Sequence, residues 1–191
     1  MAALDSGARR LGGLGALAAG LALCAGLAQP VRAGDPSLEY TVKADYLYKL
    51  TPFVEWPPAA FDSPTGPFNL CVAGRDPFGP VVDEAMRDRR VGDHPVAVIR
   101  LPSVVKGAAC HLLFLGRSHL QTPRQMLDAV AGQPTLTVAD DGVRGRDAMI
   151  HFVMIDGRVR LDIRPAAAQG SGLTLSSKLL ALSTPARKGE R

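Results

Sequence analysis

Two of the three cysteines, four histidines, one glycine-flanked turn and one Ser/Lys cluster are the residues here whose types can do chemistry. Cys71 and Cys110 belong to no Cys-x-x-Cys pair, and the histidine nearest Cys110 is its own neighbour His111, which is not zinc-ligand spacing. His94, His111, His119 and His151 are scattered, with no His-x-x-x-His pair among them. His111 and His151 fall inside apolar runs, where a satisfied core histidine is the plainer reading. Gly74-Arg75-Asp76-Pro77-Phe78-Gly79 follows an apolar run, so Gly74 and Arg75 are candidates for holding an anion at a helix start. That turn lacks the lysine of a P-loop and the spacing of a dinucleotide site, and a plain strand-to-helix turn is the plainer reading. Ser176-Ser177-Lys178 starts no Ser-x-x-Lys motif and sits in a leucine-rich stretch. No nucleophile, base and orienter set emerges. The expectation is a protein with no catalytic residue, no metal and no cofactor, hence not an enzyme.

The aromatic residues carry more information. Eight of the ten lie between Tyr40 and Phe78. Aromatic side chains dominate the energetics of cores and of interfaces alike. One reading packs the whole segment into the core. The other turns Tyr48, Phe53, Trp56 and Phe61 towards a partner.

These residues need a scaffold. Leu38, Val42, Tyr46 and Leu50 recur at i+4, which predicts a helix over about 37–51 with that stripe buried, Ser37 as its cap and Pro52 as its end. Apolar runs at 68–73, 96–99, 111–115, 135–138, 149–155 and 158–163 predict strands, and Asp156-Gly157 is a two-residue hairpin signal. Helices are predicted near 78–89 and 119–130. A last one starts near Gly172 and carries Leu173, Leu175, Leu179, Leu180 and Leu182. Strand–helix alternation predicts a single α/β domain: a mostly parallel sheet with helices on both faces, plus a C-terminal β-hairpin and helix.

The amino terminus decides the compartment. Arg9-Arg10 precedes a Leu/Ala/Gly run from Leu11 to Ala28, and Val31-Arg32-Ala33 offers a signal-peptidase site. Residues 1–33 are therefore read as a cleaved signal peptide, and 34–191 as the domain. An uncleaved anchor, a twin-arginine route and a lipoprotein box at Leu21–Cys24 fit less well. Cleavage removes three Arg and one Asp, halving the net charge of +4, so the basic precursor is no argument for nucleic acid. It also removes Cys24, leaving Cys71 and Cys110 as an even pair in an oxidising compartment. A disulfide is the first reading, with a reversible bridge and two free thiols as alternatives. Their strands can be neighbours in a doubly wound sheet, close enough to bridge.

Glu39-Tyr40-Thr41-Val42-Lys43-Ala44, Tyr46-Leu47-Tyr48-Lys49 and Phe53-Val54-Glu55-Trp56-Pro57 resemble the N-terminal signature of the YfiR-like family of periplasmic proteins. Cys71–Gly79, Cys110–Phe114 and Leu173–Leu180 follow in the family's order. The resemblance implies a regulator: a periplasmic protein that binds the periplasmic part of an inner-membrane diguanylate cyclase, or another sensor protein, and represses cyclic di-GMP synthesis and biofilm formation, with redox state as one releasing signal. A homodimer is the expected form of any self-association, and nucleic acid is not an expected partner. The alternative is a periplasmic small-molecule sensor with its ligand at Gly74 and Arg75.

Overall fold

A computed structural model describes residues 36–143 and 147–184 of the chain. The predicted signal segment, 1–33, lies outside them. The chain opens with α1 (Pro36–Leu50) and a 3-10 turn ending at Phe53, then β1 (Val54–Glu55), β2 (Phe68–Ala73), α2 (Pro80–Met86), β3 (Arg90–Val91) and β4 (His94–Leu101). It continues through β5 (Leu112–Leu115), α3 (Pro123–Ala129), β6 (Leu136–Ala139), β7 (Ile150–Ile155) and β8 (Arg158–Ile163), and ends with β9 (Thr174–Leu175) and α4 (Ser177–Ala181).

Seven strands form one sheet in the order β3-β4-β2-β5-β6-β7-β8, while β1 and β9 pair as a separate two-stranded ribbon. The sheet is mixed, which corrects the expectation of a mostly parallel one. Strands β4, β2, β5, β6 and β7 run parallel, but an antiparallel pairing closes each edge, β3 on β4 and β8 on β7. The Asp156-Gly157 hairpin joins β7 to β8, with φ of 51° and 70° at its two residues, as a type I′ turn requires. The other hairpin turns at Gly92 (φ 58°), and its two-residue strand β3 is too short to leave a periodic signal.

The sheet separates two apolar layers. Leu70, Val72, Leu112, Phe114, Val138, Ile150 and Phe152 meet α1 and α2 on one face. Cys71, Ala73, Leu113, Leu115 and Ala139 meet Met126 and Val130, from α3 and its end, on the other. Helices therefore do lie on both faces. Their placement follows from strand alternation, since β2, β5 and β6 are buried on both sides.

Two expectations about helices are corrected. Helix α1 begins at Pro36 and buries Lys43, Ala44, Leu47 and Leu50, whereas Leu38 is 63% and Val42 37% exposed. Only Leu50 of the predicted stripe is fully buried. The true face pairs i+3 with i+4 steps around a lysine, which an apolar count passes over. The last helix spans only Ser177–Ala181, because Thr174–Leu175 are drawn into β9 against Val54 and Glu55. Tertiary pairing overrides the leucine pattern there. In α4 Ser176 is the cap, its Oγ accepting the Leu179 N–H, so the Ser/Lys cluster serves the helix start.

Candidate functional site

The parallel strands have their amino ends on one side of the molecule and their carboxyl ends on the other, and the candidate residues divide between the two.

At the amino ends, aromatic and imidazole rings stack. Phe61 lies between His94, whose ring centroid is 3.6 Å away and tilted 8°, and His111, at 4.5 Å and 18°. His111 stacks in turn on Phe68 at 5.1 Å, and Trp56 meets Phe68 edge-on at 5.0 Å. His94 opens β4, His111 immediately precedes β5 and Phe68 opens β2, so three adjacent parallel strands place these rings side by side. The segment carrying Trp56 and Phe61 is tied down by three polar contacts. Trp56 Nε1–H donates to His111 O at 3.2 Å, His111 Nε2 contacts Ala60 O at 2.9 Å, and His94 Nδ1 contacts Gly66 O at 2.8 Å. His111 Nδ1 accepts the Asn69 N–H at 2.9 Å, which fixes the proton on Nε2. Burial holds the imidazole below its ordinary pKa, and His94 adds to that.

Trp56 and Phe61 thus share one half-buried cluster packed against the core. Tyr48 stands apart, its hydroxyl donating to Arg90 O at 3.1 Å and its ring under the Arg89 guanidinium at 4.8 Å. Phe53 packs at the margin of the core, and its carbonyl accepts the Ser176 N–H at 2.9 Å. The β1–β9 ribbon thereby fastens the 53–57 segment to 174–176.

The carboxyl ends carry Gly74 and Arg75. The Arg75 N–H donates to Arg117 O at 2.8 Å, and a Cβ on Gly74 would stand 2.7 Å from that same oxygen. The two loops that flank the strand-order reversal between β2 and β5 are zipped together by backbone. Gly74, with φ of 79°, supplies the close approach and the left-handed turn. Asp76 Oδ1 accepts the N–H groups of Phe78 and Gly79, so a carboxylate of the chain itself occupies the place proposed for an anion. Arg100 anchors Asp76 at 2.7 Å and pairs with Asp83, holding the Asp83 carboxyl below its usual range. Arg75 is exposed beside this network.

A buried charge cluster, which the sequence reading did not single out, also sits at the carboxyl ends. Lys43, fully buried, pairs with Asp140 at 2.5 Å and with Glu39, and Tyr40 donates its hydroxyl to Asp140 Oδ2 at 2.8 Å. Burial, then the Asp140 carboxylate, push the Tyr40 hydroxyl well above its ordinary pKa. Asp140 follows β6 directly, and Tyr40 and Lys43 come from successive turns of α1. The visible signal was a lysine in phase with Ala44 and Leu47.

Cys71 and Cys110 form a disulfide with Cα atoms 5.8 Å apart. Strand alternation from Leu112 and Phe114 would turn Cys110 to the α1 layer. The tight turn in which Cys110 N–H meets Ala108 O turns it instead to the α3 layer, beside Cys71. His119 is exposed in a loop and His151 is buried in β7. Among the described residues no three His, Cys, Asp or Glu side chains gather as metal ligands, and no helix is long and apolar enough to cross a membrane. A cavity of about 330 Å³ opens between α3 and the 165–171 segment, lined by Arg124, Asp128, Gln133, Thr135, Gln169 and Ser171.

Comparison with known proteins places this geometry in context. Residues 40–184 match the family model described as YfiR/HmsC-like, which spans the described domain from Tyr40 on α1 to its end. Among curated proteins, none matches the chain.

Proposed function

The chain belongs to the YfiR/HmsC-like family, and from that premise we propose that it is an exported periplasmic regulator. It binds the periplasmic part of an inner-membrane diguanylate cyclase and keeps cyclic di-GMP synthesis low. The family is regulatory rather than catalytic. The observation that carries the reading is the half-buried aromatic cluster of Trp56 and Phe61, with Phe68 edge-on to the indole, His94 and His111 stacked on Phe61, and the indole N–H bonded to the His111 carbonyl. Rigid aromatic anchors of this kind concentrate binding energy. Tyr48 and Phe53 extend the surface on either side.

Co-expression with an inner-membrane diguanylate cyclase that has a periplasmic part, read as cyclic di-GMP per cell, tests the proposal. Wild-type protein lowers the level and co-purifies with the cyclase. Trp56→Ala weakens repression at least tenfold, about 1.4 kcal/mol of binding, while the purified variant still melts cooperatively. A folded variant that represses fully removes Trp56 from the interface. Unchanged cyclic di-GMP with the wild-type protein removes the function.

A second reading, a sensor of small polar molecules, draws on the cavity beside α3, whose size is at the lower end for ligand sites. It shifts the candidate ligand position away from Gly74 and Arg75.

A further inference from the structure

We propose that His111 is an acid-sensitive latch: its neutral ring locks the 57–66 segment over the amino ends of the sheet, and protonation releases that segment and uncovers Trp56 and Phe68. The geometry leaves no place for a second proton. Nε2–H is committed to Ala60 O, within the latched segment, and Nδ1 accepts the Asn69 N–H at the start of β2. A proton on Nδ1 would set two donors against each other at 2.9 Å. The ring can relieve that clash only by turning, which breaks the Ala60 bond and unstacks Phe61 and Phe68 together.

The groups around the ring set the direction. The segment contributes Asp62, which favours the charged form, and the head of β4 contributes His94, which opposes it. The β2 side offers Phe68 and Asn69 and the β1 side Trp56, none of them ionisable in this range. Burial outweighs both the bond to Ala60 O and Asp62, which favour the charged form, and keeps the folded-state pKa below 6.5. The sign follows by linkage. Above 6.5 the imidazole is neutral whether the latch is open or closed, and the closed state has its full stability. Below 6.5 the open state binds the proton more readily, so closure weakens as pH falls towards the folded pKa. The device belongs to this chain and stands whether or not the partner proposed above is right.

Trp56 is the only tryptophan, and its indole donates to the His111 carbonyl, so its fluorescence reports the latch directly. In the purified protein titrated from pH 8 to 4.5, the expected result is a red shift of Trp56 emission with a midpoint below 6.5, far-UV ellipticity staying constant. His111→Gln keeps an acceptor and a donor without a titrating group, and its emission is expected to stay flat. His94→Gln keeps the transition. If His111→Gln does not fold, the wild-type Asn69 amide resonance decides, since it must move with the same midpoint as Trp56. Flat wild-type emission overturns the latch, as does a transition that survives His111→Gln, one that coincides with global unfolding, or an Asn69 amide that does not move with Trp56.

Discussion

Lys43 shows what one residue can do to the phase of a helix. Its ammonium is buried where an apolar side chain would be expected, and Asp140, Glu39 and Tyr40 supply its partners. Removing one member of a buried pair leaves the other uncompensated, at a cost of about 3–5 kcal/mol. Lys43→Ala is therefore expected to lower unfolding free energy by that amount in urea titration. Lys43→Met combined with Asp140→Leu should recover most of the loss, because no charge then remains buried alone. A Lys43→Ala variant within 1 kcal/mol of wild type would mean the cluster is solvated in solution. Only the phase of Lys43 with Ala44 and Leu47 was legible in the sequence; its partner Asp140 lies 97 positions away and is brought to it by the fold. The histidines were half legible. The place of His111 and His151 in apolar runs pointed to core roles, but that His94 and His111 both stack on Phe61 depends on β4 and β5 flanking β2.

Strands with a long apolar run were read correctly, α1 was placed but with the wrong face buried, and strands formed by pairing were missed. The runs at 68–73 and 158–163 became β2 and β8, and the Asp-Gly turn made the predicted hairpin. Strands β1, β3 and β9 have two residues each, too few for alternation to register, and they exist through their partners. The β1–β9 pairing joins the Phe53–Pro57 and Leu173–Leu180 blocks, which lie more than a hundred residues apart in sequence. The disulfide acts at this same scale, tying β2 to the chain that leads into β5. The loop it closes, of about 40 residues, gives about 4 kcal/mol in the chain-entropy model. Reduction should lower the melting temperature, and Cys71→Ser and Cys110→Ser should match the reduced protein and each other. Thiol titration of the unfolded, unreduced protein is expected to find neither cysteine free. Two free thiols would remove the bridge and, with it, redox control.

Across the whole molecule the two edges of the sheet are finished differently. The β8 edge is covered by the residues after α4: the Thr184 N–H donates to Leu161 O at 2.8 Å and Ser183 Oγ accepts the Ile163 N–H at 3.0 Å. On the other edge, among the described residues, β3 covers only the start of β4, where the Val96 N–H meets Arg89 O. The Gly74 N–H to Leu101 O bond shows which way β4 faces. In a parallel ladder the residues at 97, 99 and 101 direct both backbone groups to β2, and those at 98 and 100 direct theirs outward. The β4 side chains are partly exposed, unlike those of β2, β5 and β6. Native-state hydrogen exchange followed by NMR should therefore alternate along β4. The amides of Ala97, Ile99 and Leu101 are expected to be protected, and those of Val98 and Arg100 to exchange at least a hundredfold faster. The slowest amides should lie in β2 and β5, where opening requires both layers to part. Equal protection at Val98 and Arg100 would mean the edge is covered in solution. An open edge strand invites a second copy, with Val98 of each chain opposite Arg100 of the other. In that case protection should fall on dilution, and Val98→Pro, which removes only an outward N–H, should return the protein to a monomer.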